Sequence, residues 1–403
     1  MATDTLARPN SNFDTLAKLA VTDLVERLSA VPDPRGSQGV LHRFTDILAI
    51  LILASVCGCD DAEAVEEWAI KEEAWLRSFL PLRHGVPGQD TYLRALAAME
   101  PQAFQTVFRQ WAQAVCCLLG LTGQLAVDGK TVRGARKTGQ AKSPVHLVSA
   151  LACDAGLVVG QVRTEEKSNE ITAMPELLRM LSLHGTLVSS DAMGCQVDIA
   201  QTIVDQGGDY LFGLKGNQPT LNQETAELFQ EADDPRRRTV DEAPRPRVEQ
   251  DEQVEAGHGR IERRIATVCH DAGEWVPATA RFPELRTFIR INATVADKVT
   301  GATTQEFRYY ISSRHMSARE ANRAVRAHWA VENRLHWCLD TTFSEDACRI
   351  RTKNAAENLA VIRHFALSWL RCFTEDRLSL PRRRRRCDYS LEYRMRVLAS
   401  ALG

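Results

Sequence analysis

Through the first third of the chain, apolar residues recur at helical spacing over residues 13–29, 44–57, 62–79, 90–99 and 101–119. The breaks fall at "VPDPRGSQG" and "PLRHGVPGQD", where proline and glycine cluster. The pattern predicts an all-helical domain over residues 1–120, with a loose polar start up to about residue 13. Its longest apolar run, "ILAILILASVCG", is too short to span a bilayer and is read as a core helix.

At Leu121 the character changes. "QLAVDGK" is a short apolar run ending in an acid, and "HLVSALACDAGLVVGQVRT" reads as two strands around an Asp-Ala-Gly turn. "KSNEITAMPELLRMLSLHG" follows as a helix with Pro175 in its first turn and Gly185 past its end. "TLVSSDAMG" is a further buried strand ending in an acid. A helix over 195–206, closed by Gly207-Gly208, leads into the strand "DYLFGLK". Three meandering strands followed by parallel additions are the ribonuclease H-like arrangement, an α/β sheet. This predicts a catalytic core over 121–221.

Residues 222–305 break the pattern. "EADDPRRRTVDEAPRPRVEQDE" is charged and proline-rich, and "GHGRIERRIATVCH" and "LRTFIRINATVAD" look like strands. The reading is a β-rich insertion with its own small sheet. The core resumes at "FRYYISS" and runs over 306–375, its long helix starting with Ser317 as N-cap and Glu320 at the capping-box position. Residues 376–403 form a basic tail.

Composition narrows the classes. With 403 residues, 44% hydrophobic and 25% charged, the chain suits a soluble protein of two or three domains. The net charge of −2 hides an acidic stretch over 60–73 and the run "RRRRR" at Arg382, Arg383, Arg384, Arg385 and Arg386. Phosphate binding depends on local patches, so near-neutrality does not exclude a nucleic-acid partner. The 11 cysteines are scattered, and no signal pattern precedes them. A reduced cytosolic compartment is expected. Cys57/Cys59 and Cys116/Cys117 lack the gap of a zinc knuckle and read as structural thiols.

Asp128 and Asp191 stand at the ends of predicted apolar strands, where ligands of such sheets gather. If the two strands are neighbours, their carboxylates converge. On a helical wheel Val331, Leu335 and Cys338 form a buried stripe, with Glu332 on its border beside His328 and His336. Each acid alone reads as structural; the three together, in this order, favour catalysis. Three carboxylates without clustered cysteines suit magnesium or manganese, and two such ions can drive phosphodiester chemistry. Asp340, Glu345 and Asp346 are rival third acids, read instead as capping or pairing with Arg349 and Arg351.

The blocks "DGKTVRGA", "HLVSA", "KSNEI", "DAMGCQ", "DYLFGLKGNQ", "RAHWAVENRLHW" and "EDACRIR" resemble the DDE transposases of bacterial insertion sequences, best the H-repeat-associated branch. "VPDPRG" and "HGVPGQDT" resemble that branch's helical N-terminal domain, and the arginine-rich tail its C-terminus. The resemblance covers nearly the whole chain. It implies that Asp128, Asp191 and Glu332 are the metal-binding catalytic triad, working with two Mg2+ or Mn2+ ions and no small-molecule cofactor. Expected partners are double-stranded DNA (terminal inverted repeats and target DNA) and a second copy of the chain, in the bacterial cytoplasm at the nucleoid and away from membranes. The superfamily's Tyr, Arg and Lys around the glutamate are here Val325, His328 and Leu339, so Arg326, His328 and His336 are the substitutes for phosphate contact.

Further DNA contacts are expected from Lys130 and Arg133 after the first acid, and from Lys215, Asn217 and Gln218 after the strand "DYLFGLK". Trp329 and Trp337 are candidates for stacking on an unpaired base, with core packing expected of at least one. The five tail arginines are expected to grip phosphate non-specifically. Alternatives are a transposase-derived nuclease with a host role and a catalytically decayed DNA-binding relic.

Overall fold

The computed structural model describes residues 11–36, 40–120, 123–132, 145–164, 170–234, 246–257, 259–270, 272 and 275–402. Most of the loose start, and Arg133, lie outside the described residues. Helices α1 (Ser11–Leu28), α2 (Phe44–Val56), α3 (Ala62–Lys71), α4 (Glu73–Leu76), α5 (Gln89–Ala98) and α6 (Pro101–Leu118) come first. Strands β1 (Gln124–Val132), β2 (Val145–Ala152) and β3 (Leu157–Thr164) follow. Helix and strand then alternate through α7 (Glu170–Arg179), β4 (Leu187–Ser190), α8 (Val197–Asp205), β5 (Asp209–Leu214) and α9 (Pro219–Asp233). Next come β6 (Val248–Gly257), β7 (Arg260–His270), β8 (Thr287–Asp297) and β9 (Thr303–Ser312). The chain ends with α10 (Ala318–His328), a π-helical stretch Val331–His336, α11 (Trp337–Thr342), α12 (Ala355–Cys372), α13 (Leu380–Tyr389) and α14 (Leu391–Ala399). No described helix is long and apolar enough to cross a membrane.

The chain divides into two compact units. One comprises Met1–Leu121, Lys130–Lys167 and Glu332–Gly403; the other comprises Thr122–Gly129 and Ser168–Val331.

In the first unit α2 and α12 are buried on nearly every side. A helix that is apolar all round belongs in a core, and here α12 packs against α2, α5 and α6. Phe365 of α12 meets the rings of Phe108 and Trp111 at 4.8 and 5.1 Å, the separation of favourable aromatic pairs. Strands β2 and β3 form an antiparallel hairpin whose turn ends at Gly156 with φ 72°, a left-handed conformation open to glycine. The expected basic tail is instead folded as α13 and α14, with α14 packed on α1.

In the second unit the strand order is β1-β4-β5-β9-β8-β7-β6, with β1, β4 and β5 parallel and the remainder antiparallel. Among the described residues the insertion therefore has no sheet of its own. Ile311 of β9 pairs with Phe212 of β5 on one side and Phe288 of β8 on the other, so β6 to β8 lengthen the same sheet. Helix α10 begins with the expected capping box between Ser317 and Glu320. It lays Ala318, Ala321, Ala324 and Val325 on Ala266, Val268, Ile289 and Ile291, and small side chains let the helix approach the sheet closely. In the same unit Pro175 lies at the sixth residue of α7 rather than in its first turn.

Candidate active site

Two of the three acids are placed side by side by strand register. The parallel pairing of β1 and β4 ends at Val127↔Ser190, and the next residue on each strand is Asp128 and Asp191. Adjacent strands run about 4.8 Å apart, so both carboxylates arise from the same end of one strand pair. Strand β1 does not end at Asp128 as its apolar run suggested; it continues to Val132, and only its pairing with β4 stops there.

Asp191 caps a single helical turn, Ala192–Gly194. Its Oδ1 accepts from Met193 N at 2.9 Å and Gly194 N at 3.4 Å. Its Oδ2 accepts no hydrogen bond from the described residues. Asp128 Oδ1 accepts from Gly129 N at 2.9 Å. The turn that aims Asp191 is tightly built. A Cβ on Gly194 would fall 2.1 Å from Ser190 Oγ, so only glycine fits there. Asn217 Nδ2 donates to the Ala192 carbonyl, and Gln218 Nε2 donates to the Cys195 carbonyl at 2.9 Å. These two side chains, expected on DNA, hold the Asp191 turn instead. Lys215 beside them is exposed, with its side chain in no hydrogen bond or ion pair among the described residues.

Behind the acids, the end of α10 is tied to the strands. Ser189 Oγ gives its proton to the Leu125 carbonyl at 3.2 Å and accepts from Gln124 Nε2 at 2.8 Å. The remaining contact, His328 Nδ1 at 3.2 Å, then has the imidazole as donor. Gln124 also reaches the Ala324 carbonyl at 2.9 Å. Burial drives His328 down to about 4, against the pull of Asp191. It is neutral at pH 7 and does not serve as a cationic phosphate contact.

Glu332 is exposed, in the π-helical stretch, and is the residue at which the chain re-enters the first unit. π-Helical turns are rare and concentrate at functional sites. Among the described residues, no group of three or more His, Cys, Asp or Glu side chains is assembled for a metal ion. The structure thus brings Asp128 and Asp191 together within one unit and places Glu332 in the other.

Lys130 is not a free phosphate ligand. Its ammonium lies 2.5 Å from Asp340 Oδ1 and 2.6 Å from Glu345 Oε2, with only 11% of the side chain exposed. Glu345 is 1% exposed and also faces Arg363 at 3.6 Å. The rival acids Asp340 and Glu345 therefore pair with Lys130, not with Arg349 and Arg351, and Asp340 lies within α11 rather than after it. Burial first, and Lys130 second, drive His336 down to about 4, so it too is neutral. Arg326 is exposed but paired with Glu255 at 3.0 Å. Trp337 is 62% exposed.

The five arginines separate into two kinds. Arg383 and Arg384 are buried. Arg383 donates to the carbonyls of Leu370 and Phe373 and to Asp376, and Arg384 to the carbonyls of Ser55 and Thr342 and to Asp60. Arg382, Arg385 and Arg386 are exposed. Helical periodicity makes the split, since residues 383, 384 and 387 face inward on α13. Sequence reasoning missed Gln124, Ser189 and Gly194; only Gly194, in "DAMG", carried a visible signal.

The Transposase DDE domain family matches residues 120–369, and the DDE_Tnp_1-associated family matches residues 25–112. The chain belongs to the DDE transposase family. It is 35% identical over 384 residues to the putative transposase YncI of Escherichia coli O157:H7, covering 95% of this chain and 96% of that one. It is also 35% identical over 381 residues to the H repeat-associated putative transposase YhhI of Escherichia coli K12, covering 94% and 98%. Within the family the chain falls in this H repeat-associated branch. A cryo-EM structure of a piggyBac transposase synaptic complex with hairpin DNA is similar at a TM-score of 0.41 and 10% identity, covering 94% of this chain and 81% of that one.

Proposed function

We propose that this transposase cuts phosphodiester bonds at the ends of a bacterial insertion sequence and joins the freed 3′-hydroxyl to target DNA. The observation that carries the reading is the register of β1 and β4, which sets Asp128 and Asp191 on adjacent strands one residue beyond their last pair. The strand pairings support a ribonuclease H-like core: β2 and β3 form an antiparallel hairpin, and β4 and β5 are added parallel to β1.

The donors fit a hard divalent cation. They are carboxylates from neighbouring strands, Asp191 Oδ2 accepts no hydrogen bond among the described residues, and the His328 imidazole is neutral. In this reading Asp128, Asp191 and Glu332 hold two Mg2+ or Mn2+ ions. Such ions, when bound, supply Lewis-acid polarisation and an acidified water or hydroxyl. The protein's own part is to fix the carboxylates. Asn217, Gln218 and Gly194 set the Asp191 turn, and the Gln124–Ser189–His328 chain holds α10 to the strands behind it. Exposed Lys215, Arg382, Arg385 and Arg386 contact phosphate, and the terminal repeats are brought together by two copies of the chain at the nucleoid.

The test uses the full chain and end-labelled element DNA. Asp128→Asn, Asp191→Asn and Glu332→Gln should each abolish cleavage while duplex binding and the folded spectrum persist. Normal cleavage by any of the three removes that residue from the site. Calcium should support binding with little turnover, because its loose coordination holds reactants poorly in line. Full activity in a chelator defeats the metal reading, and cleavage without strand-transfer product identifies a nuclease.

A further inference from the structure

In the second unit a cavity of about 220 Å³ opens between α10 and strands β7, β8 and β9, with neither Asp128 nor Asp191 in its lining. It lies below the roughly 300 Å³ at which small-molecule pockets begin, so it suits a single base or phosphate. Its lining includes Arg264, Arg308, Arg326, Trp329 and Tyr310, with Glu262 as its one acid. Guanidinium groups match phosphate oxygens in geometry as well as charge; Arg308 is paired through two hydrogen bonds with Glu306 and lies 4.8 Å over the Trp329 ring.

The arginines of the lining are held by a small set of acids. Arg264 is 6% exposed, and its buried Nε has no hydrogen-bond partner among the described residues. The other two arms of Arg264 are held by carboxylates: Nη2 by Glu255 at 2.8 Å and Nη1 by Glu262 at 3.5 Å. The same pair holds Arg326, Glu255 at 3.0 Å and Glu262 at 3.8 Å. Two arginines thus share two glutamates, and the acids occupy the positions that phosphate oxygens would take.

We propose that this cavity binds one nucleotide phosphate of a DNA strand, and that Glu255 and Glu262 stand in for that phosphate in the free protein. The inference deepens the DNA reading above and rests on it. It adds a phosphate subsite, separate from Asp128 and Asp191, where acidic side chains compete with the ligand.

The experiment measures binding of a fluorescently labelled thymidine octamer to the full chain, with inorganic phosphate and thymidine monophosphate as competitors. Glu255→Gln removes a competitor and should tighten binding by roughly tenfold, the weight of a charge-assisted hydrogen bond. Glu249→Gln makes the same charge change on an exposed residue of the same strand β6 and should shift binding less than about twofold by long-range attraction alone. Arg326→Gln, at an exposed position that leaves the core intact, should weaken binding by roughly tenfold. Thymidine monophosphate should compete at lower concentration than inorganic phosphate. Equal effects of Glu255→Gln and Glu249→Gln overturn the proposal, since general electrostatics would then explain both. So does a wild type that binds duplex DNA while Arg326→Gln leaves octamer binding unchanged. If the wild type binds no DNA, the functional reading fails, and the cavity stands or falls on a direct titration with thymidine monophosphate, compared between wild type and Arg326→Gln.

Discussion

Replacing Lys130 by methionine keeps the unbranched stem, one atom shorter, and removes the charge. In the native protein the ammonium makes charged hydrogen bonds of 2.5 and 2.6 Å to Asp340 and Glu345, and Glu345 is 1% exposed. An exposed ion pair contributes about 0–1 kcal/mol, whereas removing one partner of a buried pair costs about 3–5 kcal/mol because the other charge is stranded. Arg363 still faces Glu345 at 3.6 Å, which places the cost near the lower end, about 3 kcal/mol. Five of the seven tryptophans (Trp68, Trp75, Trp111, Trp337 and Trp369) lie in the unit that contains Lys130, so urea unfolding followed by tryptophan fluorescence reports on it. At slopes of roughly 1–3 kcal/mol per M the midpoint should fall by about 1 M or more. Lys71→Met, at a lysine with 54% of its side chain exposed and paired to Asp388, is the control and should cost less than about 1 kcal/mol. Burial pushes the Glu345 carboxyl up, but Lys130 and Arg363 pull it further down, leaving it below its ordinary 4.5. A depressed carboxylate stabilises the fold above its unfolded pKa and loses that contribution as pH falls through the folded one. The gap between wild type and Lys130→Met should therefore be full above pH 4.5 and close in stronger acid. Equal shifts for Lys130→Met and Lys71→Met refute the reasoning. Unchanged stability with weakened DNA binding would return Lys130 to the phosphate role its sequence position suggested.

In the tail, changing Arg382, Arg385 and Arg386 to glutamine should leave stability intact and reduce the log-log salt slope of duplex binding by up to about 3, at roughly 0.9 per lost contact. Arg384→Gln should instead lower the unfolding midpoint, because Ser55, Thr342 and Asp60 lose their donor; a binding defect with unchanged stability would contradict this. Asn217→Ala should slow cleavage by about 10²-fold through misplacement of the Asp191 turn, with duplex affinity preserved. Lost affinity at an unchanged cleavage rate would make Asn217 a DNA contact after all.

Most helices of the first third were legible to within a residue or two, though the one read over 62–79 breaks at Glu72 into α3 and α4 and stops at Leu76. The boundaries that were legible are written in local chemistry, with proline at the head of α6, glycine and proline between helices, and Asp61 capping α3 through Ala64 N at 2.9 Å. The strands β2 to β5 were equally plain. What the sequence hid were choices made by distant partners. No local signal says that β9 pairs with β5 and carries β6 to β8 onto the same sheet. Lys130 looked like a phosphate ligand because Glu345, 215 residues away, is invisible from its neighbourhood. Asn217 and Gln218 looked like a DNA-facing loop because the carbonyls they hold belong to residues 192 and 195. The arginine run looked uniform because a count of charges carries no periodicity until a helix imposes one. For the candidate site, the two aspartates followed from apolar runs ending in acids, and strand register supplied what spacing alone did not.

Strand β6 stands last in the order of its sheet and is largely exposed. The outer edge of a last strand invites another chain to add a strand. Here that edge carries Glu249, Asp251, Glu252 and Glu255 and no basic residue. Two such edges meeting would bring eight carboxylates together along one seam, and like charges directly opposite oppose pairing. The acidic border thus works against joining of two copies through this edge.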